Sequence, residues 1–196
     1  MQLSVGVTGG IATGKSTVTN ILAQQGFKIV DADQIAREVV LPQTPGWQQV
    51  VQLFGTRILQ PNQELDRVQL GQIVFNNQQR LTQLNQVLQP LIRQRLTELI
   101  QSIPDDNIPV FFEIPLLFEQ HYQNLLQKTL LVYATPAVQL QRLQKRNNLT
   151  KQAAQQRINS QMDLQQKRKL ADFIIDNDGN YHHLIQQVQR FVTLLT

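Results

Sequence analysis

Ser4-Val5-Gly6-Val7-Thr8-Gly9-Gly10-Ile11-Ala12-Thr13-Gly14-Lys15-Ser16-Thr17 is the stretch that decides how this chain folds. It opens as an apolar, strand-forming run and passes into Gly9, four residues, then Gly14-Lys15-Ser16, the spacing G-x-x-x-x-G-K-[ST]. Glycines let main-chain N–H groups converge on phosphate oxygens, and a helix beginning at Lys15 adds partial positive charge at its first turn. A lysine here neutralises the β- and γ-phosphates, and a serine hydroxyl suits Mg²⁺. At about 4 Å and an effective dielectric near 20, one such charge pair is of order 4 kcal/mol before desolvation. The motif implies an ATP site built from Gly10, Ile11, Ala12, Thr13, Gly14, Lys15, Ser16 and Thr17, with Mg²⁺ beside Ser16.

Outward from this loop, residues 2–8 read as a buried strand and Lys15 to about Gln25 as a helix that Gly26 terminates. Phe27–Val30 is a second strand, ending at Asp31-Ala32-Asp33; Val110–Ile114, Thr129–Tyr133 and Phe173–Ile175 are three more. Strands alternating with helices predict an α/β fold of the P-loop NTPase type, three-layered, with a five-stranded parallel sheet. Residues 44–101 contain no convincing strand, and Leu81, Leu84, Leu88, Leu91 and Ile92 recur at helical spacing. This predicts a helical insertion that covers an acceptor molecule or packs the sheet. Residues 136–171 read as two helical segments with a polar hinge at Asn147–Lys151; their Arg142, Lys145, Arg146, Arg157 and Lys167 suggest a lid. No repeat or linker argues for an independently folding second domain, so the reading is a single domain over 1–196 with these two subregions.

Composition narrows the function classes. With 196 residues and 41% apolar content the chain is long and apolar enough to bury a core. It contains no cysteine, which excludes disulfides and thiolate metal sites. His121, His182 and His183 lack metal-ligand spacing. A net charge of +4 suits a phosphate-rich small substrate or an ordinary basic surface; the basic residues between Arg142 and Lys169 have no interleaved aromatics, so no nucleic-acid partner is expected. No apolar run approaches a membrane span, and the opening strand leaves no room for a signal peptide, so no membrane partner and a cytoplasmic location are expected. The Asn148-Leu149-Thr150 sequon is then a chance match. The oligomeric state is not encoded legibly; a monomer is compatible with the sequence.

Several side chains are suited to the chemistry. Asp31 and Asp33 follow the second strand, near the carboxyl edge where α/β proteins bind ligands. Asp33 is the better candidate to take a proton from an acceptor hydroxyl, since Asp31 can cap the following helix; Asp33 can also be an N-cap alone. Glu113 ends an apolar strand, the place of a carboxylate that acts on Mg²⁺ or its water. Pro115-Leu116-Leu117 after it form either an acceptor wall or core. Arg142 and Arg146, four apart on one helix, share a face and can meet a common anion in the transition state, or stay solvated.

In order along the chain, Thr8-Gly9-Gly10-Ile11 through Thr17, Asp31-Ala32-Asp33, Leu65-Asp66-Arg67, Pro90-Leu91-Ile92, Ile114-Pro115-Leu116-Leu117, Gln141-Arg142 with Arg146, and Ala171-Asp172 with Asp176-Asn177 resemble the dephospho-CoA kinases across nearly the whole sequence. The resemblance implies ATP- and Mg²⁺-dependent phosphorylation of the ribose 3′-hydroxyl of dephospho-CoA, with Asp33 as base, Arg142 and Asn177 on the ATP side, and Arg67 with the Pro115–Leu117 turn on the CoA side. Gln89 stands where this family commonly has histidine, and Ala12-Thr13 replace a familiar Gly-Ser.

Two other readings share the loop. Asp-x-Asp also occurs in shikimate-type kinases, but here the third strand runs into Glu-Ile-Pro-Leu-Leu rather than a glycine pair. A GTP-dependent switch would fit Asp176-Asn177-Asp178-Gly179 loosely, yet no Asn-Lys-x-Asp guanine signature is present.

Overall fold

The computed structural model describes residues 3–75, 77–106 and 108–195, and the chain divides into two compact units. The first contains the residues up to Asp31 and from Ser102 onward; the second is Ala32–Gln101. In chain order the elements are β1 (Ser4–Gly9), α1 (Lys15–Gln24), β2 (Lys28–Asp31), α2 (Ala32–Glu38), α3 (Pro45–Phe54), α4 (Arg67–Phe75), α5 (Gln78–Gln101), β3 (Val110–Glu113), β4 (Lys128–Tyr133), α6 (Pro136–Asn147), α7 (Lys151–Asn159), α8 (Leu164–Leu170), β5 (Phe173–Asp176) and α9 (Tyr181–Leu195).

In the first unit the strands form a five-stranded sheet of order β2-β3-β1-β4-β5, every pairing parallel. Parallel strands need crossovers and helices on both faces, so the side chains sort by the period of two. Val5, Val7, Phe111, Leu130, Val132 and Ile175 face α1 and α9, packing with Val18, Leu22, Leu184 and Phe191. Leu131 and Tyr133 point the other way, onto Leu164 of α8. Gly6, on the same side as Leu131, has no Cβ because Leu117 and Leu126 occupy its place.

Stretch 136–171 forms three helices, not two segments. Asp163 accepts from the Gln165 and Gln166 N–H groups and starts α8 as a separate element. α8 is docked on the sheet: Gln165 Nε2 donates to Tyr133 OH at 2.9 Å and the Arg168 guanidinium lies 5.3 Å from the Tyr133 ring centre. Lys167, expected among the lid cations, is fully buried and paired with Glu119 Oε1 at 2.8 Å.

The second unit is helical, with a core of Val40, Val50, Phe54, Ile58, Leu65, Leu70, Val74 and Leu84. It begins with α2 at Ala32, ahead of the expected residue 44, because a seven-residue helix is too short to declare a period. Thr44 caps α3 by accepting from Trp47 N–H, and Asp66 caps α4 by accepting from Val68 and Gln69 N–H at 3.0 and 2.9 Å.

Candidate active site

Beyond β1 the main chain folds back on itself. Thr13 N–H and Oγ1 both donate to Gly10 C=O, at 3.2 and 3.0 Å. Ala12 and Gly14 take positive φ, 62° and 92°. Gly14 is required twice over: by that φ, and because a Cβ would strike the amide nitrogen of Asn177. α1 opens directly from Gly14 with no side-chain cap, leaving its first amides for an anion.

Lys15 is in an ion pair with Glu113, each side chain only 13% exposed. Ser16 Oγ donates to Glu113 Oε1 at 2.9 Å and Thr19 Oγ1 to Oε2 at 2.5 Å. Glu113 closes β3 in register with Val7 and Asp31, at the carboxyl edge of the sheet. Burial alone would raise its pKa; hydrogen bonds from Lys15 and Thr19, the Lys15 charge and the Ser16 bond together outweigh burial and hold it below the ordinary glutamate value. The stabilisation this carboxylate contributes is complete above the ordinary range, near 4.3, and is lost as pH falls below it. Thermal melts between about pH 6 and about pH 3 are expected to show an acid-induced fall in Tm that Glu113→Gln makes shallower. Equal acid slopes for the two proteins would rule out this contribution.

A second group surrounds Gly14. Asn177 is buried and donates through Nδ2 to Thr13 C=O at 2.7 Å. A cavity of about 280 Å³ is lined by Gly14, Thr17, Arg142, Asn177, Gly179 and Tyr181 among others. Arg142 Nη1 is buried there without a hydrogen-bond partner among the described residues. Arg146 is not drawn to the same place: it is exposed, and its Nε donates to its neighbour Asn147 Oδ1 at 2.9 Å. Asp178 Oδ1 accepts from Thr135 N–H at 2.8 Å, tying the loop after β5 to the start of α6.

The turn after β3 divides its expected residues. Pro115 C=O accepts from Thr8 Oγ1 at 3.1 Å and from Lys167 Nζ at 3.4 Å. Leu117 departs from its expectation as an acceptor contact: its side chain has no exposed surface because it fills the space over Gly6. Leu116, 38% exposed, is the apolar side chain of that turn that reaches the surface. In the second unit, Asp33 is exposed in the first turn of α2, and Arg67 is exposed at the first position of α4.

Three residues of the site were missed in the sequence. Thr19 carried a signal, since it lies on the Lys15–Ser16 face of α1 at helical spacing. Gln139 and Gln161 carried none in a glutamine-rich chain; they bind the two polar groups of Ile11, Gln139 Nε2 donating to its C=O and Gln161 Oε1 accepting from its N–H, both at 2.7 Å.

A phosphate-type loop between β1 and α1, a lysine and a serine meeting a strand-end carboxylate, and a cavity beside the loop's last glycine define a P-loop kinase. Comparison with known proteins narrows this. Residues 3–183 match the family model for dephospho-CoA kinase. The dephospho-CoA kinase of Listeria innocua is 42% identical over 193 residues, which cover 98% of this chain and 96% of that protein. A dephospho-CoA kinase structure from Campylobacter jejuni superposes with a TM-score of 0.78 at 34% identity, covering 98% of this chain and 96% of that one. A crystal structure from Thermus thermophilus does so with a TM-score of 0.82 at 31% identity, covering 99% and 98%. The chain belongs to the dephospho-CoA kinase family, whose members use ATP to phosphorylate dephospho-CoA to coenzyme A.

Proposed function

We propose that this chain transfers the γ-phosphoryl group of ATP to the ribose 3′-hydroxyl of dephospho-CoA, with Asp33 as the base and the loop at Gly10–Thr17 as the ATP cradle. The observation that carries the reading is the Lys15–Glu113–Ser16 cluster at the carboxyl edge of the sheet. The Asp33 carboxylate takes the hydroxyl proton as that oxygen attacks phosphorus, and the bond from the γ-phosphorus to the β–γ bridging oxygen breaks. Lys15 and the loop amides hold the charge that spreads over the transferring group.

Ser16 Oγ and the ionised Glu113 carboxylate are hard oxygen donors lying together, the kind Mg²⁺ takes alongside phosphate oxygens. Bound there, Mg²⁺ would neutralise charge on the β- and γ-phosphates.

Arg142 belongs to the donor side, with its guanidinium against the cavity beside Gly14 and Asn177. Arg142→Ala is expected to raise KM for ATP by roughly 30-fold, the equivalent of about 2 kcal/mol for one charge-assisted hydrogen bond from its buried Nη1. A change under about threefold would make Arg142 structural. Arg67 and the turn at Pro115–Leu116 serve the CoA side, residues 32–101 the acceptor generally, and the segment at 136–159 the lid. Among the described residues no helix is long and apolar enough to cross a membrane.

The deciding test is ADP release with dephospho-CoA, shikimate and nucleoside monophosphates in parallel, followed by location of the new phosphate. Turnover with dephospho-CoA alone and a 3′-phosphorylated ribose are expected. Phosphate at another position would overturn the assignment.

A further inference from the structure

Ile11 sits inside the phosphate loop, yet both polar groups it contributes to the main chain are held by side chains from far along the sequence. Its C=O accepts from Gln139 Nε2 and its N–H donates to Gln161 Oε1, each at 2.7 Å. Gln139 lies on α6 and is 3% exposed; Gln161 lies in the connection between α7 and α8 and is half-buried. Gly10 leaves room for this: a Cβ there would clash with Gln139 Nε2 at 2.5 Å and crowd Leu164 at 3.2 Å. A carboxamide can donate through its nitrogen or accept through its oxygen, so two glutamines hold both polar groups of this residue without adding charge beside a polyanion.

The next residue explains why such fixing matters. Ala12 adopts φ 62°, the left-handed region that an L side chain occupies only at a cost. Glycine would enter it freely; alanine must be held there. The peptide linking Ile11 to Ala12 carries the C=O that Gln139 holds, so the glutamine acts directly on the unit whose orientation sets Ala12.

We propose that Gln139 and Gln161 are positioning residues for ATP: they clamp Ile11 so that Ala12 stays left-handed and the loop keeps the shape that receives phosphate. Neither glutamine is a catalytic residue, because each acts through the loop. The inference rests on the assignment of ATP to this loop. It also gives the segment that carries Gln139 and Gln161 a second role, since the same polypeptide that supplies Arg142 sets the geometry of the loop at the opposite end of the sequence.

The test is steady-state kinetics on the full chain for Gln161→Met, Gln139→Met, the pair, and the pair with Ala12→Gly. One neutral hydrogen bond lost at each site is expected to lower kcat/KM for ATP about fivefold, and both about 20-fold, with KM for dephospho-CoA within about twofold of wild type. Ala12→Gly added to the pair is expected to restore most of the loss, since glycine populates the left-handed region unaided. Gln161 is half-buried, so Gln161→Met reports even if Gln139→Met folds poorly. Unchanged kcat/KM for ATP in Gln161→Met, equal losses for both substrates, or no recovery with Ala12→Gly would each overturn the proposal. Lys15→Ala run alongside separates the two failures: if it too leaves ATP binding intact, the assignment of ATP to the loop is wrong, and not the clamp alone.

Discussion

Asp33→Asn is expected to bind ATP as the wild type does and to lose kcat by about 10²- to 10⁴-fold, the range that a positioned general base supplies. Asparagine keeps the shape and the ability to accept a hydrogen bond from the acceptor hydroxyl, but it cannot take the proton. The loss should therefore fall on kcat while KM for both substrates moves little. Asp33 is exposed in the first turn of α2 and asparagine matches its size, so Tm should change little. Equilibrium ATP binding, a thermal melt and a turnover assay together check this; turnover within about tenfold of wild type would remove Asp33 from the chemistry.

Lys15→Ala should fail differently, in binding and transfer together. The lysine is the proposed partner of the β- and γ-phosphates and is also the counter-charge of Glu113. Its loss removes phosphate neutralisation and leaves a nearly buried carboxylate with only the Ser16 and Thr19 hydroxyls as partners. By comparison with the removal of one donor to developing charge, a fall of about 10²- to 10³-fold in kcat is expected, with weaker ATP binding in addition. The Glu113 pKa should rise towards ordinary values in the variant, readable by NMR titration of the carboxyl carbon. Wild-type kcat/KM in Lys15→Ala would move the phosphate site elsewhere.

The parts of this fold that could be read from the residues were those that obey a local rule. β1, the loop and α1 were legible because a glycine-lysine-serine spacing between a strand and a helix has one physical use. The strands at 28–31, 110–113, 128–133 and 173–176 were found within two residues at each end, since short buried runs between polar boundaries admit little else. Strand order was out of reach, because β2 pairs with β3 across a long helical segment that gives no sign of where it returns. The start of the helical unit at Ala32 was missed for want of length, and α8 was merged with its neighbour because the break at Asp163 is a cap within a polar stretch.

The site divides along the same line. Lys15, Ser16 and Glu113 were legible through motif and strand end. Leu117 was not, because whether a leucine after a strand faces a ligand or the core depended on Gly6, more than a hundred residues earlier. Arg142 and Arg146 looked equivalent at helical spacing; packing separates them, one against the cavity and one in solvent. Gln139 and Gln161 were invisible because a glutamine that clamps a peptide and a glutamine that covers a surface are the same letter.

Lys167 leaves this enzyme with a fixed heel. Its ammonium sits with no exposed surface, against Glu119 and the Pro115 carbonyl, so pulling α8 off the sheet would break that ion pair. A lid at 136–159, as proposed, would then hinge ahead of residue 164, next to the glutamine that holds Ile11.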